Sequence, residues 1–253
     1  MSTPKVLIPV ALGTNRDGDL ADAFRLAGAD PVSLPLEALR AGEASMDDFQ
    51  MLAVPGGFSY GDALGAGRLL GLDLVGWFGD QLHAAVAAGK PIFGVCNGFQ
   101  ALVRTGLLPG GNHQSVLAHN DSGHFECRWV TLAPSSQSVW TKDLTEPLRC
   151  PVAHAEGKFV AEDLGALEAA DLVAFRYLTV DGEAAGGAYP ANPNGSPGDV
   201  AGVTDETGLV LGLMPHPEDH VTERQDPLRG RTAPTGSGLC LPLFEAGVAA
   251  VTA

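Results

Sequence analysis

One stretch constrains the fold more than any other: Pro91-Ile92-Phe93-Gly94-Val95-Cys96-Asn97-Gly98-Phe99-Gln100-Ala101-Leu102. The apolar run from Ile92 to Val95 predicts a strand covered on both faces. A helix then runs through Ala101, Leu102 and Val103 and ends near Gly106, a C-terminal glycine. Cys96 falls in the tight turn between them, with Gly94 two residues before and Gly98 two after. This layout holds a nucleophile on strained backbone while the glycines let neighbouring elements pack close. The helix N-terminus points its amides at the sulfur, a field that favours thiolate over thiol. A free cysteine is more often a small buried apolar residue, so the rest of the chain must decide.

The 253 residues suffice for one large α/β domain or two small ones, and 45% hydrophobic content supplies a core. Fifteen basic against 30 acidic residues leave a formal charge of −15, which argues against a nucleic-acid or anionic-membrane partner. The four cysteines, Cys96, Cys127, Cys150 and Cys240, match no zinc or redox spacing. The N-terminus shows no signal peptide and no apolar run reaches the ~20 residues of a membrane span, so a reduced, cytoplasmic compartment is expected.

Along the chain, strands are expected at Lys5 to Leu12, Pro31 to Leu34 and Phe49 to Val54, with a helix from about Leu20 to Ala27. The third strand runs into Pro55-Gly56-Gly57-Phe58-Ser59-Tyr60-Gly61-Asp62. A glycine pair past a candidate parallel strand lets backbone amides approach a ligand, where open α/β sheets usually bind one. A helix from Leu74 to Ala88 precedes the Cys96 strand. Beyond Pro109, short strands are expected at Trp129 to Leu132, Pro151 to Ala153, Leu172 to Leu178 and Val200 to Thr204. A helix lies near Ala161 to Ala170, and residues 192–198 form a dense turn. A polar loop over 219–238 carries Arg224, Arg229 and Arg231, and a last helix spans Leu239 to Val251.

The strand Val210 to Met214 delivers Pro215-His216-Pro217-Glu218. Residues two apart on extended backbone point the same way, and Pro217 fixes the dihedral between them. A His backed by a carboxylate is the base-and-orienter half of a Cys-His-acid triad. His154-Ala155-Glu156 has the same spacing and spacing alone does not choose. The rigid Pro217 places His216/Glu218 first.

With these residues assembled, the chain resembles the class I, triad-type glutamine amidotransferases. Within them it is most similar to the glutaminase subunits of phosphoribosylformylglycinamidine synthase, of purine biosynthesis. The matching stretches are VPGGFSYGD (54–62), GVCNGFQALVRTGLLPG (94–110), CPVAHAEGKFV (150–160), FRYL (175–178), NPNGS (192–196) and LGLMPHPE (211–218). The resemblance implies one flavodoxin-like α/β domain over 1–253: an open, mainly parallel twisted sheet with helices on both faces. It implies Cys96 as nucleophile, His216 as base and Glu218 as its partner. It implies an oxyanion hole from backbone amides near Gly57 and Phe58 and from that of Asn97, with Gln100 contacting glutamine. His154, Glu156, Arg176 and Tyr177 are implied to face the substrate or a partner. Two positions depart from the family pattern: Gly65 stands where an arginine is common, and Asp219-His220 follows the catalytic glutamate.

The chemistry implied is hydrolysis of L-glutamine to glutamate with ammonia captured elsewhere, needing no metal or cofactor in this chain. With no Gly-x-x-x-x-Gly-Lys loop present, ATP and Mg²⁺ are expected to be used by a separate large synthetase subunit, with a small accessory subunit as a further partner. Two other readings stay open on the residues: a stand-alone cysteine hydrolase or chaperone of the related open-sheet superfamily, and a glutaminase serving a different synthetase.

Overall fold

The computed structural model describes residues 3–228 and 239–252, so Arg229, Arg231 and the end of the expected 219–238 loop lie outside the described residues. The chain begins β1 (Lys5–Val10), α1 (Asp17–Leu26), β2 (Asp30–Pro35), α2 (Leu36–Arg40), β3 (Met51–Val54), α3 (Arg68–Ala87), β4 (Ile92–Val95) and α4 (Asn97–Thr105). It continues through β5 (Ser115–Ala118), β6 (Glu126–Pro134), β7 (Leu148–His154), β8 (Lys158–Ala161) and α5 (Leu164–Ala169). It closes with β9 (Val173–Leu178), β10 (Val200–Thr204), β11 (Val210–Leu213) and α6 (Leu241–Ala249).

Nine strands form one sheet in the order β2-β1-β3-β4-β11-β10-β9-β6-β7, and β5 pairs with β8 in a small separate sheet. The first five are mutually parallel. The last four join by antiparallel pairing, so that only β10 and β6 run against the rest. The open, mainly parallel sheet expected from the sequence is therefore present, with an antiparallel extension. Strands β3, β4, β10 and β11 are buried at every residue, which is why they read as unbroken apolar runs.

Side-chain alternation along β4 separates the two helical layers. Phe93 faces α6, with its ring 5.7 Å from that of Phe244 and 5.4 Å from Trp140. Phe244 in turn meets Phe24 of α1 at 5.2 Å. Gly94 faces the other way, where a Cβ would lie 2.5 Å from Leu102 of α4. Gly98, on α4 itself, is closer still: a Cβ there would sit 2.0 Å from the Val54 carbonyl oxygen. No side chain fits at Gly98, so α4 lies directly on the ends of β3 and β4.

Three elements escape the sequence reading: α2, β5 and β8. Each is short and only partly apolar, and β5 and β8 gain their strand character by pairing with each other across a long separation. Helix α3 begins at Arg68, six residues before the expected start. Gly71 discourages a helix locally, but here it makes room for the stem of Arg104 on α4, 2.8 Å from where its Cβ would be. No helix among the described residues is long and apolar enough to cross a membrane.

Candidate active site

Strand β1 has β2 on one side and β3 on the other, so the chain switches direction there. The crevice at the carboxyl ends of the parallel strands opens at that point. The loops after β1 and β3 meet across it through a bridge between Thr14 and Gly57. The turn after β4 brings Cys96, and the segment after β11 brings His216 and Glu218.

Cys96 has φ 50° and ψ −107°, a conformation rarely adopted by a residue with a side chain. It persists because both backbone ends are tied: its N–H donates to Leu213 O at 2.8 Å, and its carbonyl accepts from Gln100 N at 3.0 Å. The sulfur sits 3.7 Å from the Ala153 carbonyl oxygen. His216 reaches it across Gly56, where a Cβ would lie 2.8 Å from His216 Cε1 and 3.4 Å from Cys96 Cβ. Behind the ring, His216 Nδ1 is 2.7 Å from Glu218 Oε1, both residues being buried. Burial alone would drive His216 toward neutrality. The carboxylate of Glu218 and the sulfur of Cys96 outweigh it and raise the imidazole well above its ordinary value. The arrangement favours an imidazolium held between the sulfur of Cys96 and the carboxylate of Glu218.

His216, Glu218 and Asp219 also bring three metal-type donor atoms within 4.8 Å. His216 and Glu218 are engaged with each other, however, and Asp219 pairs with Arg16. That pairing describes a proton-handling dyad rather than a ligand set.

Two connected recesses flank the sulfur. The larger, about 220 Å³, is lined by Asn15, Arg16, Gly57, Phe125, His216 and Asp219 among others. The smaller, about 50 Å³, runs to Gln100, His154 and Glu156, and Gly57, Phe58, Cys96, Phe125 and Ala153 border both. Phe58 and Phe125, each about half exposed, stack with ring centres 6.5 Å apart at the rim. Wider clefts exist elsewhere, up to about 550 Å³ beside Leu148 and Leu241, but no cysteine lines them.

Of the amides expected to form an oxyanion hole, Gly57 and Phe58 border both recesses, and Asn97 follows Cys96 as the first residue of α4. The Asn97 side chain is committed elsewhere. Its Nδ2 donates to Asp62 Oδ1 at 2.9 Å and to Gln100 Oε1 at 3.2 Å, and its Oδ1 accepts from the Ser59 hydroxyl. Gln100 lines the smaller recess with its amide already used: Nε2 donates to Glu156 O at 2.7 Å. It therefore anchors the segment after β7 as well as facing the cavity. The Glu156 carboxylate accepts from Ala66 N at 3.3 Å.

His154, the rival to His216, lies in the same recess but is held by Asn120 rather than by Glu156. Spacing had paired His154 with Glu156, and β7 ends between them. Arg176 and Tyr177 are not brought to the site. Arg176 pairs with Glu168 at 2.8 Å, and Tyr177 is fully buried with its hydroxyl accepting from Asn194 Nδ2 at 3.0 Å. Tyr177 cannot face a partner from there, and the 192–198 turn, whose Asn192, Asn194 and Ser196 are buried, supports the core. Sequence reasoning missed Asn15, Arg16, Phe125 and the Ala153 carbonyl. Only Arg16, one basic residue in an acidic chain, offered any local signal.

The CobB/CobQ-like glutamine amidotransferase domain family matches residues 3–249. A phosphoribosylformylglycinamidine synthase subunit PurQ from Treponema denticola is 45% identical, over 97% of this chain and 98% of that one. Its counterpart from Dehalococcoides mccartyi is 42% identical over 90% and 89%. Among solved structures, PurLQS from Thermotoga maritima superposes with a TM-score of 0.74 at 31% identity, covering 97% of both chains. A T. maritima glutamine amidotransferase at 16% identity shares the fold, with a TM-score of 0.53 and coverage of 89% and 80%. Over nearly its whole length, then, the chain belongs to the CobB/CobQ-like glutamine amidotransferases, in the branch of the PurQ subunits of phosphoribosylformylglycinamidine synthase.

Proposed function

We propose that this protein is the glutaminase subunit of phosphoribosylformylglycinamidine synthase and that Cys96, His216 and Glu218 carry its chemistry. The Cys96 thiolate attacks the side-chain carboxamide of L-glutamine. The backbone amides of Phe58 and Asn97, with the neighbouring Gly57 turn, hold the oxyanion, a contact of the sort worth ~3–4 kcal/mol. His216 passes its proton to the departing nitrogen and ammonia leaves. The same imidazole then takes a proton from water, which cleaves the γ-glutamyl thioester to glutamate and restores the thiolate. Glu218 holds the ring and stabilises its charge throughout.

The observation that carries this reading is the strained Cys96 set across Gly56 from a His216 that is itself bound to Glu218 at 2.7 Å. The ammonia is consumed by a large ATP- and Mg²⁺-dependent synthetase subunit, with a small accessory subunit, in purine biosynthesis. The PurLQS structure from T. maritima supports such an assembly. No metal or organic cofactor takes part in the glutaminase half. Four free cysteines fit a reducing compartment, the cytoplasm. Replacing Cys96 by Ala tests the assignment in the assembled enzyme: glutamine-dependent synthesis is lost and ammonia-dependent synthesis remains. Glutamine hydrolysis by the variant would overturn it.

A further inference from the structure

Helices α3 and α4 and strand β5 enclose a groove of about 350 Å³. Three large apolar side chains line it, Leu72 and Val75 from α3 and Val116 from β5, each about half exposed or more. Strand β5 pairs with β8 alone, so its other edge carries no strand among the described residues. Glu162 N donates to Gln114 O at 2.9 Å, one step before the Ser115–Ala161 pair of the ladder. Bonding alternates along an antiparallel pair, so Val116 and Ala118 bond across to β8 while Ser115 and Leu117 turn their N–H and C=O groups to the open edge. Both of these line the groove. An open edge with exposed apolar neighbours is a template for another strand. Two cations flank it, Arg68 and Arg104. Neither forms an ion pair among the described residues, although acidic residues outnumber basic ones 30 to 15. Arg68 is also the first residue of α3, where the helix dipole disfavours a cation.

The open edge offers main-chain hydrogen bonds, the apolar side chains offer contact area, and the two guanidiniums take carboxylates. The occupant that satisfies all three is an extended segment in which acidic and apolar side chains alternate. Gln100 lines both this groove and the smaller recess beside Cys96. A segment seated in the groove therefore lies one side chain away from the place where ammonia is released. We infer that the groove receives such a segment of the ammonia-consuming synthetase, added as a third strand beside β5, with Arg68 and Arg104 holding its carboxylates. This rests on the glutaminase reading above. The groove shares neither Phe58 nor Phe125 with the cleft, so a partner docked there leaves that rim open to glutamine.

The test uses the full chain assembled with its synthetase and accessory subunit. The photoreactive residue p-benzoylphenylalanine replaces Val116, and the assembly is irradiated. The chain is expected to become joined to the synthetase at one segment, where peptide mapping finds acidic residues alternating with apolar ones. Joining to the accessory subunit or to a second copy of this chain, or no joining while coupled synthesis proceeds, would overturn the inference. Variants give a second readout. Arg68→Glu combined with Arg104→Glu is expected to raise the concentration of chain needed for half-maximal glutamine-dependent synthesis about tenfold or more, and added salt should weaken wild type in the same direction. Ser115→Pro removes an N–H from the open edge and leaves the ladder to β8 intact, and should raise that concentration about threefold or more. Ammonia-dependent synthesis stays within about twofold in both. A half-maximal concentration within about twofold of wild type in either variant would overturn the inference. A wild-type assembly that hydrolyses no glutamine would instead refute the glutaminase reading itself.

Discussion

Gly56 offers a clean perturbation of the Cys96–His216 contact. Its φ is one that alanine adopts, and the backbone on either side need not change. In Gly56→Ala the new methyl would lie 2.8 Å from His216 Cε1, about 0.6 Å short of ordinary contact, and 3.4 Å from Cys96 Cβ. The ring is the part able to give, because Cys96 is tied at both backbone ends. A misplacement of ~1 Å in a reacting group costs as much as a hundredfold in rate. A shift somewhat smaller than that predicts a kcat roughly ten- to a hundredfold lower, or about 1.4–2.7 kcal/mol of barrier. Gly56 borders neither recess, so KM should stay within about threefold. Stability should hold or rise slightly, since alanine lowers the entropy of the unfolded chain by an amount worth ~0.4–1 kcal/mol. Steady-state glutaminase kinetics with thermal melts of both proteins measure all three. A kcat within threefold of wild type would refute the contact, and a fall in kcat matched by a collapse in melting temperature would refute the claim that only the ring moves.

Glu218→Gln removes the charge behind His216 while keeping its size. A hydrogen bond to a charged group is worth about 1.5–3 kcal/mol, so kcat/KM should fall at least tenfold. The alkaline limb of the pH profile, where the imidazolium loses its proton, should move to lower pH, because Glu218 is one of the groups holding His216 up. His154 governs acid stability with the opposite sign. Its folded value of about 4 lies below the ~6.5 of an unfolded chain, so the unfolded state binds more protons between those limits. Stability is full above pH ~6.5 and falls as pH drops toward 4, by about 3 kcal/mol from this residue alone. Urea midpoints should therefore drop less over that range in His154→Phe than in wild type, and equal slopes would contradict the assignment.

The site was legible where its chemistry sits on contiguous residues at strand ends. The glycines around Cys96 and the proline between His216 and Glu218 are local backbone requirements, and local requirements leave marks in sequence. Choosing His216 over His154 rested on Pro217, and the structure adds the reason: Glu218 meets His216, whereas Glu156 turns to the Ala66 amide and leaves His154 to Asn120. What was illegible came from pairing across distance. Asn15 and Arg16 reach the site only because the β1 loop bridges to Gly57, and Phe125 only because it stacks on Phe58. The resemblance turned Tyr177 toward a substrate or partner, and composition did not decide where the 192–198 turn faces. Their polar atoms instead satisfy one another inside the protein, as between Asn194 and Tyr177.

The most direct test of the account is covalent trapping of the nucleophile with a glutamine-shaped electrophile, followed by mass mapping of all four cysteines. The account predicts one label per chain, on the buried Cys96 and not on the exposed Cys127 at the mouth of the same cleft. It also predicts that labelling is lost in His216→Ala and retained at saturating reagent in His154→Phe. Labelling of another cysteine, or labelling that survives His216→Ala and vanishes in His154→Phe, would contradict it.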